Sequence, residues 1–207
     1  MNKENKRHNH KYIWIIFTLI TIPIILIGVI IFFRHNYIPT NEEVIEKVKN
    51  TNSYSCNVEY IIKNSKNTYD ENVKLIYDKN LGIRIEFDKD RVKIYKDGYI
   101  SVTDNGDEYE LEKNTDVVYP LACISNILDN DIESIQEGKE EWGDKVYIKL
   151  RVNLPFQNKH LSYAYIFMDK EEQIPVLTQI YDVNDEERLN IIYKDFKRLK
   201  EVDKSLF

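Results

Sequence analysis

Tyr54–Ile62, YSCNVEYII, is the stretch whose reading decides the fold. Tyr54, Cys56, Val58, Tyr60 and Ile62 alternate with Ser55, Asn57 and Glu59, the side-chain period of a β-strand with one buried face. The same period returns at Val73, Leu75 and Tyr77, and again at Leu81, Ile83, Ile85 and Phe87. Val92 and Ile94, Tyr99–Val102, and Tyr109 and Leu111 continue it. Lys96-Asp97-Gly98 and Asn105-Gly106 between these runs are hairpin signals, because their central residues accept the positive φ that a tight turn needs. This half reads as an antiparallel meander.

Downstream, strands are expected at Lys145–Asn153, Leu161–Asp169, Pro175–Asp182 and Arg188–Phe196. Pro155 and Pro175 fall at strand starts or connectors, where a missing N–H does least harm, and Asp182-Val183-Asn184-Asp185 supplies a turn. Between the two halves the period changes. In Val117–Leu128, VVYPLACISNIL, the apolar residues Leu121, Ile124, Ile127 and Leu128 have helical spacing and Pro120 suits a first turn. A helix apolar on most sides, set among strands, should lie against a sheet face. The acidic stretch Asp129–Asp144 reads as irregular or loosely stranded. Upstream, Thr40 with Glu43 is a capping-box pattern that opens a helix over about Asn41–Asn50, with Val44, Ile45 and Val48 on one face.

The N-terminal run Tyr12–Phe33, YIWIIFTLITIPIILIGVIIFF, has 22 residues and no charge. About 20 apolar residues cross a bilayer core, so the run is expected to form a transmembrane helix, with Tyr12, Trp14 and Phe33 marking its interfacial ends. Lys3, Lys6, Arg7 and Lys11 before it place the N-terminus inside and the remainder outside. A cleaved signal would have a shorter apolar core and a small-residue site, and neither is found. The division that follows is a cytoplasmic tail over 1–11, a transmembrane helix over 12–33, a linker over 34–40 and one extracytoplasmic domain over 41–207. The expected localisation is that of a single-pass membrane protein. The net charge is −6, with residues 1–35 at +4 and residues 36–207 at −10. An acidic domain without a basic run is a poor nucleic-acid binder and favours a basic partner surface.

Motifs for chemistry are absent. His160 lies in a polar turn, and no Gly-x-Ser-x-Gly elbow accompanies it. His8 and His10 cannot share a metal with Cys56 and Cys123 across the expected membrane. Asp104–Glu108 lacks the ligand spacing of an EF-hand and reads as a turn. No Gly-rich phosphate loop occurs, so no cofactor, metal or catalytic residue is assigned. For Cys56, on the apolar face of the first strand, and Cys123, on the mid-chain helix, two readings stand: a disulfide, or buried free thiols, the second preferred. The fifteen tyrosines suit strand and core packing, and any exposed remainder suits a protein-binding surface.

The order of a short helix, a meander, a mid-chain helix and four more strands resembles the lipoprotein-carrier (LolA) and sigma-regulator (RseB) superfamily. Tyr54–Tyr60, Arg84-Ile85-Glu86-Phe87, Ile94-Tyr95-Lys96-Asp97-Gly98 and Ile191-Ile192-Tyr193-Lys194-Asp195-Phe196 carry the likeness. Within it the chain is similar to the GerS-related germination proteins of spore-forming bacteria, although the lipidation cysteine of GerS is missing. The resemblance implies an α+β fold: after the transmembrane helix, a curved antiparallel sheet, a half-barrel, covered by short helices. It also implies a non-enzymatic accessory role through a protein partner, with a spore-cortex amidase as the example. A lipid or lipoprotein carrier, or a stress sensor, using the concave face is the alternative.

Overall fold

A computed structural model of the chain describes residues 17–29, 31, 37–64, 66–87, 90–156 and 158–207. The chain divides into two compact units, Met1–Ile38 and Pro39–Phe207. In the first, residues 17–29 and 31 are helical, and Thr21 Oγ1 donates to the carbonyl of Phe17 at 2.9 Å.

The expectation for this N-terminal region is corrected here. Among the described residues no helix is long and apolar enough to cross a membrane. Tyr12, Trp14 and Phe33 lie outside the described residues. Neither the single-pass topology nor the localisation built on it is upheld. The fold class is corrected with it: among the described residues the chain is predominantly an antiparallel sheet of eleven strands, with few helices.

The second unit begins with helix α1 (Asn41–Lys49). Thr40 Oγ1 accepts from Glu43 N at 3.2 Å and Glu43 returns a carboxylate to Thr40 N at 2.9 Å, the reciprocal cap expected from the sequence. Such a cap is worth about 1 kcal/mol. Six strands follow: β1 (Ser53–Lys63), β2 (Thr68–Asp78), β3 (Gly82–Phe87), β4 (Arg91–Lys96), β5 (Tyr99–Asp104) and β6 (Asp107–Glu112). A crossing segment contains 3-10 turns at Lys113–Thr115 and Tyr119–Ala122 and the short helix α2 (Ile124–Leu128). Then come β7 (Ile132–Lys139), β8 (Val146–Asn153), β9 (Tyr163–Asp169), β10 (Ile174–Tyr181) and β11 (Glu187–Arg198).

The strand order is β6-β5-β4-β3-β2-β1-β11-β10-β9-β8-β7. Two meanders are therefore joined at the centre by β1 against β11, and the sheet ends at β6 and β7. Period-two burial follows from this. Tyr54, Cys56, Val58 and Tyr60 of β1 face the same interior as Leu75, Ile85, Ile100, Leu150, Ile166 and Ile191. Two turns enforce the meander at their tips: Asp97 and Gly98, and Asn105 and Gly106, all take positive φ. Gly82 is also required, because at φ +108° an added Cβ would sit 2.3 Å from the Tyr95 carbonyl oxygen.

The inner face is closed by α1, through Val44, Ile45 and Val48, and by the crossing segment, through Leu121, Ala122, Cys123, Ile124, Ile127 and Leu128. The two helices meet: Lys49 Nζ donates to the carbonyl of Leu128 at 3.0 Å and pairs with Asp129 at 3.4 Å, placing a cation at the α2 C-terminus. The expected single helix over Val117–Leu128 is broken at Cys123, whose backbone is extended at φ −76°, ψ 98°. On the outer face the C-terminal residues pack back: Leu199 N donates to Ser53 O at 2.9 Å and Arg84 Nη1 to Leu206 O at 2.6 Å.

Candidate functional site

Three regions of the second unit could engage another molecule: the inner face under the crossing segment, the cleft at one end of that face, and the sheet edges. The inner face is held shut by a polar anchor. In β4 the side chains of Arg91, Lys93 and Tyr95 point inward, opposite Ile85 and Ile83 of β3, while Val92 and Ile94 take the other face. Lys93 Nζ lies 2.5 Å from Asp116 Oδ2, with side chains only 16% and 10% exposed. Tyr95 Oη donates to the same oxygen at 2.8 Å, and Asp116 Oδ1 accepts from the backbone N–H groups of Val118 and Tyr119. One carboxylate thus ties β4 to the start of the Tyr119–Ala122 turn.

A second tie runs through Glu71, which accepts from Tyr119 Oη and from Arg91 Nη2. Aromatic rings shield both. Tyr119 meets Tyr60 and Phe87 edge-on at 5.1 and 4.9 Å, Arg91 lies 4.1 Å over Phe87, and Lys93 lies 4.8 Å over Tyr119. Burial, with the neighbouring Asp116 and Glu71 carboxylates, pushes the Tyr95 and Tyr119 hydroxyls well above their ordinary range, so both remain protonated donors.

At the end of this face a cleft of about 540 Å³ opens between the β2–β3 and β4–β5 turns, the crossing segment and the loop after β8. Tyr77, Tyr95, Leu121, Ile127 and Phe156 form its apolar wall, and Lys79, Lys96, Lys113, Asp97 and Asp129 lie on its rim. Its volume lies in the range of small-molecule sites.

Cys56 and Cys123 are both buried free thiols. Burial pushes Cys56 up to about 12 and also raises Cys123, whose Sγ is 3.3 Å from Ser125 Oγ. His160 is an exposed turn residue, and its N–H donates to Asn158 Oδ1 at 3.0 Å. Asp104 and Asp107 close the hairpin around Asn105-Gly106. Among the described residues no group of three or more His, Cys, Asp or Glu side chains could hold a metal ion.

Sequence reasoning missed Glu71, Arg91, Lys93, Asp116 and Tyr119. The signal was parity. Val92 and Ile94 read as the buried positions of β4 because they are apolar, but the pairing with β3 turns their neighbours inward.

A protein-family comparison matches residues 11–207 to the family described as "Sporulation protein YdcC-like". A comparison with curated proteins found no match. Among solved structures, the chain is similar to an uncharacterized conserved protein from Thermus thermophilus at 12% identity and TM-score 0.50, covering 80% of this chain and 91% of that one. A LolA superfamily protein from Nitrosomonas europaea matches at 10% identity and TM-score 0.46, covering 82% and 97%. A chain in the structure of the CwlD amidase from Clostridioides difficile in complex with the GerS lipoprotein matches at 20% identity and TM-score 0.41, covering 77% and 96%. At such identities the likeness to the Thermus protein is one of fold alone.

Proposed function

The chain belongs to the YdcC-like sporulation protein family, and on that premise we propose that it is a non-enzymatic accessory protein that acts by binding a partner protein during sporulation. The observation that carries the reading is the filled inner face. A carrier needs an empty apolar chamber, whereas here Leu121, Ile124, Ile127 and Leu128 of the chain itself occupy that space, held by the Lys93–Asp116 and Glu71–Tyr119 ties. The net charge of −10 over residues 36–207 favours a basic partner surface. A spore-cortex amidase, which the sequence resemblance implies, is the first partner to test.

The cleft of about 540 Å³ favours a second reading, in which a small apolar ligand is carried or sensed there. One experiment separates the two. The full chain is purified from sporulating cells, and its co-purifying proteins and extractable lipids are identified by mass spectrometry. A stoichiometric complex with a cortex amidase, absent from vegetative cells, is the expected result. Stoichiometric lipid without protein would move the assignment to a carrier, and peptidoglycan turnover by the purified chain would overturn both.

A further inference from the structure

Resting on the partner-binding reading, we propose that the edge strand β6 is the docking edge, and that its occupant is an extended, basic segment of the partner protein which adds to the sheet. β6 pairs only with β5, in unbroken register from Asp104 opposite Asp107 to Tyr99 opposite Glu112. Among the described residues it makes no backbone hydrogen bond beyond that pairing. The two-residue turn at Asn105-Gly106 makes Asp104–Asp107 a hydrogen-bonded pair, so bonding alternates along the strand. Asp107, Tyr109 and Leu111 then bond to β5, and Glu108, Glu110 and Glu112 turn their N–H and C=O groups outward. That open row is a template for another strand.

The same three residues set the charge of the guest. Ile100 and Val102, opposite Leu111 and Tyr109, face the interior, so Glu108, Glu110 and Glu112 share the outer face. They stand roughly 7 Å apart, two residues along a strand. No cation pairs with any of them among the described residues. The other edge differs: Glu133 and Glu137 of β7 are already paired with Arg151 and Lys170.

Carboxylates alone would be a solvated face. Here they accompany unpaired backbone, with no proline or bulge to blunt the edge. Pairing of β6 with a second copy of itself would bring four acidic residues of each strand together, which like-charge repulsion opposes. A segment with lysine or arginine at every second position matches the glutamate row. Its alternate apolar residues would meet Leu111 and Tyr109, the latter 46% exposed.

The test uses the full chain and a short, end-blocked synthetic peptide that alternates lysine with valine. Binding is followed by fluorescence anisotropy, and its location by amide hydrogen exchange. The expected result is protection of the β6 amides and saturable binding that Glu108→Lys/Glu110→Lys/Glu112→Lys abolishes. Glu110→Pro removes an outward N–H without touching the bonds to β5, and should weaken binding about tenfold, the worth of one or two backbone hydrogen bonds. Should Glu110→Pro fail to fold, the same peptide N-methylated at alternate residues makes that comparison on the unaltered protein. Equal binding of the methylated and parent peptides, or protection of β7 instead of β6, would overturn the proposal. An authentic partner that still binds the Glu110→Pro protein would overturn the docking edge while leaving the partner-binding reading intact.

Discussion

Ile124→Ala tests whether the crossing segment is core or lid. Ile124 is fully buried at the start of α2, its N–H donating to Tyr54 Oη at 3.4 Å. Truncation removes three carbons, about 2.4 kcal/mol of transfer free energy at about 0.8 kcal/mol each. A residual cavity adds to this, and such substitutions cost about 2–5 kcal/mol in all. The better helix propensity of alanine returns a few tenths of a kcal/mol. The net expectation is a loss of about 3 kcal/mol, which for a unit of this size lowers the melting temperature by roughly 6–12 °C. Guanidinium unfolding followed by circular dichroism measures it, with the midpoint shifting at constant slope. Val183→Ala, at an exposed position, should leave the midpoint unchanged. A loss below about 1 kcal/mol would refute the reasoning. The segment would then be a detachable cover, the inner face would be open to a ligand, and the carrier would regain the argument.

Asp116→Ala should cost about 3–5 kcal/mol, because it strands the buried Lys93 ammonium. Lys93→Met/Asp116→Leu should recover the part due to the unpaired charge but not the part due to Tyr95 Oη and the Val118 and Tyr119 N–H groups, which still lose their acceptor. Guanidinium unfolding of both variants decides it, and a mild single-variant effect would mean that the tie is solvated. Acid stability should depend on Asp182. Burial alone would raise its pKa, but N–H donors from Glu186 and Asn184 and the Arg188 guanidinium hold it at about 2. A depressed carboxylate contributes fully above its unfolded value near 3.8 and loses that contribution as the pH falls through about 2. Asp182→Asn should therefore flatten the acid limb of a stability profile, and an unchanged limb would count against the assignment. The thiols behave in the opposite sense: with Cys56 raised to about 12, the stability it lends is present below about 9 and lost as the pH climbs towards 12. Neither cysteine should react with a thiol reagent in the native protein at pH 8, and both should react once it is unfolded; rapid native labelling would contradict their burial.

Most of the second unit was legible because its signals are local. The alternation at Tyr54–Tyr60, the glycine turns after Asp97 and Asn105, and the Thr40–Glu43 cap each need only a few neighbouring residues, and each recurs in the structure. β7 was read only as part of an irregular or loosely stranded stretch. An edge strand buries little, and Ile132 and Ile135 are its only large apolar residues, so the period had almost nothing to act on. The N-terminal expectation rested on apolar composition alone, and among the described residues no helix is long and apolar enough to cross a membrane.

The candidate site was the least legible part. The crossing segment was recognised by its apolar spacing, but its ties were not, because charged residues at Arg91 and Lys93 look like an exposed face until β3 shows which way β4 is turned. By itself the sequence determined periodicity, turn positions, the capped helix and the acidic balance, all properties of residues within one or two turns of each other. Only the tertiary structure decided that β1 pairs with β11, that β6 and β7 are left as edges, and that β4 faces its cations inward. Those outcomes depend on partners far along the chain, since a strand's register is set by the neighbour that buries it.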